Sequence, residues 1–457
     1  MNIILNVDSY KTSHFVQYPE GTTNVFSYIE SRGGEYDHTL FFGLQAFVKE
    51  YLLKPICLHD IHEAEEVYQL HGVPFNKQGW VDILRKHRGY LPIRIKAVKE
   101  GTIVPTHNVL VTVENTDPEM PWLTSYIETA LLRAVWYPTT VATISHSIRK
   151  VIEERLRLSA DTTDGLDFKL HDFGARGVSS LESAALGGLA HLVNFKGTDN
   201  VPALMYARKY YNEHMAGYSI PAAEHSTITS WGREHEADAY ANMLKQFARP
   251  GALVAVVSDS YDLFNAVENI WGGELRQQII DSGATVVIRP DSGNPTDVVS
   301  HTAVLLDKKF GSSFNKDGYK LLNNVRIIQG DGINEQSIKD ILARLQVLGY
   351  SADNVAFGMG GALLQHMNRD TQKFAMKASA AKVNGKWRDV FKDPITDFGK
   401  RSKKGRLDLF YNHMTNTYST ARETEDHVHF RMLETVYENG QLIRDQTLTE
   451  IREIAKL

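Results

Sequence analysis

Cysteine is nearly absent. Cys57 is the only one in 457 residues, which excludes an intramolecular disulfide and suits a reducing compartment. Long apolar runs are also missing: none approaches the roughly 18–20 residues that a membrane-spanning helix needs, so no membrane association is expected. Neither sign of charge dominates, because 50 Lys and Arg stand against 55 Asp and Glu for a net charge of −5. That balance gives no reason to expect nucleic acid as a partner. The opening MNIILNVDSYK lacks a basic leader and breaks its apolar stretch at Asp8, unlike a signal peptide. A soluble, cytoplasmic protein is the expectation, and the length predicts two domains or one elaborated barrel.

Familiar nucleotide and metal signatures are missing too. There is no G-x-x-x-x-G-K-[ST], and GMGGAL fails the G-x-G-x-x-G spacing at its last position. No H-E-x-x-H occurs, and His59 and His62 read as the wet face of a helix, not as metal ligands. The paired-acid, Thr-Gly loop of the commoner phosphoribosyltransferase class is absent, so a phosphate site must be built by other means.

What is present is a repeated pattern between Phe168 and Gly361. Seven short apolar runs each end in acidic, basic or glycine residues: FKLHDFGARG, AHLVNFKGTD, GYSIPAAEHS, ALVAVVSDSYD, TVVIRPDSGNP, VRIIQGDGIN and VAFGMGG. Short β-branched runs separated by helix-like stretches such as Asn334–Leu348 predict parallel strands with helical crossovers. Closed into a barrel, such strands gather their C-terminal ends, and with them the chemistry, at one mouth. Around this region, LPIRIKAVKEGTIVPTHNVLVTVENT alternates like a small antiparallel sheet, and a long helical stretch runs past Pro138. Strand-like segments return late, with NG turns at Asn384–Gly385 and Asn439–Gly440. The expected fold is α/β: residues 1–150 and 380–457 pair as one discontinuous, β-rich domain, and 151–379 form an irregular βα barrel.

Each polar cluster admits a chemical and a plainer reading. HDFGARG sets Phe173 and Arg176 three residues apart, able to stack a flat heteroaromatic and hold an anion or a carbonyl oxygen. Its plainer reading is a core Phe and a solvated Arg. RPDSGNP offers Arg289 for charge, Asp291 for a hydroxyl or metal, and Gly293 for close backbone approach, against a turn with an Asp cap. QGDG and FGMGG put glycines where a strand meets a helix; backbone N–H groups there can wrap a phosphate, although left-handed turns also select glycine. AAEHST places Glu224 beside His225, a proton carrier, a covalent phosphate acceptor or a structural histidine. FKDPITDFGKRSKKGR carries Lys392, Lys400, Arg401, Lys403, Lys404 and Arg406, which suits a localisation signal, a wet loop or a polyphosphate clamp.

These stretches, together with DSYK at Asp8–Lys11, YPEGT, GWVDIL, WYPTTVAT, VFKDP and KRSKKGRL, resemble the nicotinamide phosphoribosyltransferases nearly end to end and in the same order. The resemblance implies a barrel of the type II phosphoribosyltransferase kind and a homodimer whose active sites lie at the subunit interface. The implied reaction joins nicotinamide to phosphoribosyl pyrophosphate, giving nicotinamide mononucleotide and pyrophosphate, with Mg²⁺. ATP stimulates it by phosphorylating His225. By the same carry-over, Phe173 and Tyr10 of the partner subunit sandwich the pyridine ring, Arg289 contacts the carboxamide and Asp199 accepts from its amide. Arg176, Gly330, Asp331, Gly360, Gly361 and Arg369 surround the mononucleotide phosphate and ribose, with Asp291 near the ribose hydroxyls. Asp259 lies on the pyrophosphate–metal side, and Arg32, Lys392, Lys400 and Arg401 grip pyrophosphate or ATP. Catalytic roles fall to His225, Asp291, Asp259 and Asp199, and the metal ligands stay unassigned. Two departures, Met359 and Ala362, sit in the glycine turn and put its geometry in question. The rival activities are a nicotinate phosphoribosyltransferase, which Asp199 would repel, and a catalytically silent nucleotide-binding sensor.

Overall fold

The computed structural model describes residues 2–396, 401–425 and 429–456. The chain divides into two compact units, Met1–Thr143 with Tyr206–His214 and Met367–Leu457, and Ile144–Met205 with Met215–His366. Packing explains why these limits depart from 150 and 380. The strand Phe374–Val383 pairs along its length with Thr22–Ser31 and so belongs to the first unit. Residues 206–214 join it because the Tyr210 carbonyl accepts from Gln45 Nε2 at 2.8 Å and the Tyr211 hydroxyl donates to the buried Glu100 at 2.8 Å.

The first unit is built on a seven-stranded antiparallel sheet in the order Lys386–Asp389, Phe374–Val383, Thr22–Ser31, Val109–Asn115, Ile93–Ala97, Glu434–Glu438, Gln441–Leu442. Three strands from the first part of the chain form its centre, with two strands from the last part on each side. Both expected NG turns are present with positive φ at each residue: 52° and 76° at Asn384–Gly385, 49° and 89° at Asn439–Gly440. That geometry matches the right-handed twist of the flanking strands.

The second unit holds six parallel strands: β1 (Leu170–Asp172), β2 (Gly197–Thr198), β3 (Leu253–Val257), β4 (Thr285–Arg289), β5 (Val325–Gln329) and β6 (Val355–Met359). Their order is β2-β1-β6-β5-β4-β3. The run GYSIPAAEHS was expected to be a seventh strand; it is not one. Pro221 has no N–H to give a ladder, and the segment makes only two isolated parallel bridges, Gly197–Tyr218 and Ala222–Ala255. Those bridges lie on β2 and β3, the two edges of the sheet, so an irregular segment closes the barrel where a strand was expected. Inside, Ala255, Val287 and Ile328 form a small apolar cluster against which Phe173, Ile220 and Ala356 pack. Among the described residues no helix is long and apolar enough to cross a membrane.

Candidate active site

The C-terminal ends of the barrel strands open into one cavity of about 510 Å³. Phe173, Arg176, Asp199, His225, Arg289, Asp291, Gly330, Asp331 and Gly360, nine residues singled out in the sequence, line it together. Asp259 sits just behind His225, with its Oδ1 3.7 Å from Nε2. Gly361 opens the four-residue helix Gly361–Leu364 and is not part of the lining. Met359 is buried, and its carbonyl accepts from the Phe173 N–H at 3.0 Å, so the departure from a small residue leaves the mouth unobstructed.

Arg289 and Asp291 form a two-point ion pair, Nε to Oδ1 at 2.9 Å and Nη2 to Oδ2 at 3.0 Å. Asp291 holds a φ of 63°, a conformation that costs a non-glycine residue free energy and that clusters at functional sites. It is not a helix cap; Asn294 caps Pro295–Phe310 instead. The Arg289 guanidinium carbon lies 5.7 Å from the centre of the Phe173 ring. Gln329, fully buried at the end of β5, donates from Nε2 to the carbonyls of Asp291 at 2.9 Å and Asp331 at 3.0 Å, tying two mouth loops together.

On the other side, Asp199 Oδ1 accepts from the Ser219 hydroxyl at 2.5 Å. The helix after FKGTD is capped by Asn200, whose Oδ1 accepts from Ala203 N, and Asp199 is left to face the cavity. Asn200 also donates to Asp172 Oδ2 at 2.8 Å, and Asp172 Oδ1 accepts from Gly174 N at 2.7 Å. His225 Nδ1 is 3.1 Å from Ser260 Oγ, and its Nε2 lies 3.5 Å from Asp291 Oδ2. The sequence reasoning passed over Asp172, Asn200, Ser219, Ser260 and Gln329. The alternation that aims Phe173 inward was a signal for Asp172, which must then point into the wall. The others had none.

Asp259 Oδ1 is buried and has no hydrogen-bond partner among the described residues, while its Oδ2 accepts from Ser292 N at 2.9 Å. An orphaned carboxylate oxygen near His225 Nε2, with an Asp291 oxygen close to the same nitrogen, fits a hard divalent cation. Magnesium characteristically takes one or two carboxylates and completes its shell with water and phosphate. The described residues contain no cluster of three or more potential ligands.

The other expected residues lie in the first unit. Tyr10 is 62% exposed, its ring edge-on to His14. Arg32 donates from Nε to the buried Glu30 at 3.0 Å, and its Nη2 is buried without a partner among the described residues. Lys403 also reaches Glu30, and burial, foremost, with the positive charges of Arg32, Lys392 and Lys11 holds Lys377 below the usual lysine range. Lys392 is exposed, Arg401 pairs with Asp393 at 2.6 Å, and Arg369 pairs with Asp370 at 3.1 Å. Lys400 lies outside the described residues.

Residues 168–441 match the family model for the nicotinate phosphoribosyltransferase (NAPRTase) family, and residues 2–95 match the nicotinamide phosphoribosyltransferase N-terminal domain. A nicotinamide phosphoribosyltransferase of Xanthomonas campestris pv. campestris (strain 8004) is 59% identical over 99% of this chain and 97% of its own. One from Acinetobacter baylyi is 32% identical over 99% and 97%. Among solved structures, the nicotinate-nucleotide pyrophosphorylase of Pyrococcus furiosus superposes with a TM-score of 0.62 over 100% of this chain and 95% of its own, at 16% identity. Human nicotinic acid phosphoribosyltransferase gives 0.59 over 98% and 92%, also at 16%; these two likenesses establish the fold, that of the type II phosphoribosyltransferases. The chain belongs to the nicotinate phosphoribosyltransferase family and, within it, to the nicotinamide phosphoribosyltransferases. It is a pentosyltransferase.

Asp172 marks the site by its titration. Burial, only partly opposed by its bonds from Asn200 and Gly174 and reinforced by the charge of Asp199, pushes its carboxyl up to about 6. The folded state therefore keeps a proton that the unfolded chain releases near pH 4. Stability from this group is complete below about pH 4 and falls, by about 3 kcal/mol in all, as the pH rises through about 6. Chemical denaturation across this window should show the stability of wild type, relative to Asp172→Asn, falling by that amount as the pH rises. Curves that stay parallel would refute the assignment.

Proposed function

We propose that this chain transfers the phosphoribosyl group of phosphoribosyl pyrophosphate to nicotinamide, releasing pyrophosphate. The observation that carries this reading is the meeting, in one cavity, of an aromatic ring, a guanidinium and a carboxylate suited to a pyridine carboxamide, with the glycine and aspartate loops of β5 and β6 beside them. The pyridine nitrogen uses its lone pair to bond C1 of the ribose as the C1–oxygen bond to pyrophosphate breaks. No proton is transferred, so no general base is required. Positive charge grows on the sugar, where Asp291 is close enough to stabilise it, and stacking on Phe173 aims the ring nitrogen. Arg289 spends Nε and Nη2 on Asp291, which leaves Nη1 to donate to the carboxamide oxygen. Bound Mg²⁺, held by Asp259 and Asp291, would neutralise the departing pyrophosphate. Arg32, Lys392, Lys400 and Arg401 are the further cations that the family resemblance assigns to the polyphosphate, and the lone, exposed Cys57 suits work in the cytoplasm.

In this reading Asp199 decides amide over acid. Its carboxylate accepts from the nicotinamide N–H₂, a charge-assisted bond worth about 1.5–3 kcal/mol, and repels the carboxylate of nicotinate. Asp199→Asn should lower kcat/KM for nicotinamide roughly 10-fold to 150-fold and raise nicotinate use to a measurable level, with an unchanged melting temperature because Asn200 carries the helix cap. A matched fall for both substrates would instead favour nicotinate activity elsewhere or a purely structural Asp199.

His225 is the phosphate acceptor in this scheme. With Nδ1 turned to Ser260, the Nε2 lone pair can attack the γ-phosphorus of ATP, releasing ADP. The phosphohistidine so formed would face Asp259 and Asp291, a repulsion that a bridging cation converts to attraction. His225→Ala should abolish ATP hydrolysis and ATP stimulation while slow synthesis persists at high substrate; full ATP coupling in the variant would exclude the phosphohistidine.

The exposure of Tyr10 suits a homodimer in which each subunit lends this ring to its partner's site. Mixing inactive Tyr10→Ala with inactive Phe173→Ala should restore part of the activity, since a mixed dimer regains one intact site. No recovery after demonstrated subunit exchange would count against sharing.

A further inference from the structure

Gly358 lies inside β6, with an extended backbone that any residue can adopt: its φ is not positive, and it caps nothing. Conformational freedom therefore does not explain a glycine there. Space does. A Cβ at this position would stand 2.0 Å from Cδ2 and from Cε2 of Phe173 and 2.8 Å from Cζ. The Cδ2–Cε2 side of the ring occupies the place of that Cβ, and Phe173, not Gly358, lines the cavity. A glycine within a strand commonly marks such an approach.

The ring has few ways to yield. Ala255, Val287 and Ile328 pack beneath it, the Cβ position of Gly330 is 3.4 Å from its Cε2, and its backbone N–H is tied to the Met359 carbonyl at 3.0 Å. The open direction is the cavity. We propose that Gly358 is a positioning residue that sets the depth of the aromatic slot: it seats Phe173 so that the space in front of the ring has the thickness of one flat heteroaromatic. This rests on the reading of Phe173 as the stacking partner of nicotinamide. Adding one methyl group behind the ring should push it into the space that the substrate occupies.

The consequence is a specific loss. Gly358→Ala should raise KM for nicotinamide roughly 10-fold to 100-fold, as expected for an ångström-scale misplacement, and leave KM for phosphoribosyl pyrophosphate within about twofold. The decisive comparison is made in a Phe173→Ala background, where the methyl group has nothing to strike. There, adding Gly358→Ala should leave the melting temperature unchanged, whereas with Phe173 intact it should lower it. Equal effects in the two backgrounds, or an equal rise in both KM values, would overturn the proposal. The melting comparison needs no substrate. If the wild type fails to make nicotinamide mononucleotide but the melting effect of Gly358→Ala vanishes with Phe173, the substrate reading fails while the seating of the ring stands.

Discussion

Closure of the barrel by a segment that is not a strand is the constraint on which the site depends. Six parallel strands leave two edges, β2 and β3, whose unpaired groups must be satisfied. Residues 218–223 do this with two hydrogen bonds at each end. Thr198 N donates to Tyr218 O and Tyr218 N to Lys196 O, while Ala255 N donates to Pro221 O and Ala223 N to Ala255 O. Between these anchors the chain delivers Ser219 to Asp199 and Ile220 to the barrel interior, and it ends on Glu224 and His225. A regular strand would have alternated its side chains with a period of two. The irregular path lets four nearby residues serve three places.

Most of the barrel was readable from its runs because fully buried parallel strands advertise themselves as short β-branched stretches with polar ends. Six of them contain a strand, although in AHLVNFKGTD it is only Gly197–Thr198, after the helix Leu181–His191 and a turn, and since parallel strands share one polarity, their polar ends had to converge. That is why Phe173, Asp199, Arg289, Asp291, Gly330, Asp331 and Gly360 could be placed at one mouth before any coordinates. GYSIPAAEHS carries the same composition and deceived for a local reason, Pro221, whose effect appears only when the neighbouring edge is known. Boundaries were harder. Residues 206–214 begin within the helix Val201–Tyr211, but Tyr210 and Tyr211 find their partners in Gln45 and Glu100, more than 100 positions away.

The supporting shell was hidden for a different reason. Asn200, Ser219, Ser260 and Gln329 are ordinary polar residues in ordinary surroundings, and their meaning lies in what they touch 20 to 38 positions away. Gln329 illustrates this best. In sequence it precedes GDG and reads as the last residue of a strand. In the fold its amide holds two loops at once, one of them strained at Asp291, while its own Oε1 is left without a partner among the described residues. Such an orphan costs about 1–3 kcal/mol. A side chain that carries this cost and still occupies the position is retained for the two bonds it donates.

Charge gives the arrangement its direction. Asp172, Asp199, Asp259 and Asp291 surround the cavity or back it directly, against the guanidiniums of Arg176 and Arg289. Arg289 is already committed to Asp291, and Arg176 is exposed. A pyrophosphate group entering alone would therefore meet more like charge than opposite charge. Asp259 adds a buried carboxylate oxygen with no hydrogen-bond partner among the described residues. Carboxylates so placed repel a bare polyphosphate. Arg176 is thus the lining guanidinium that stays uncommitted to Asp291 and open to an anion.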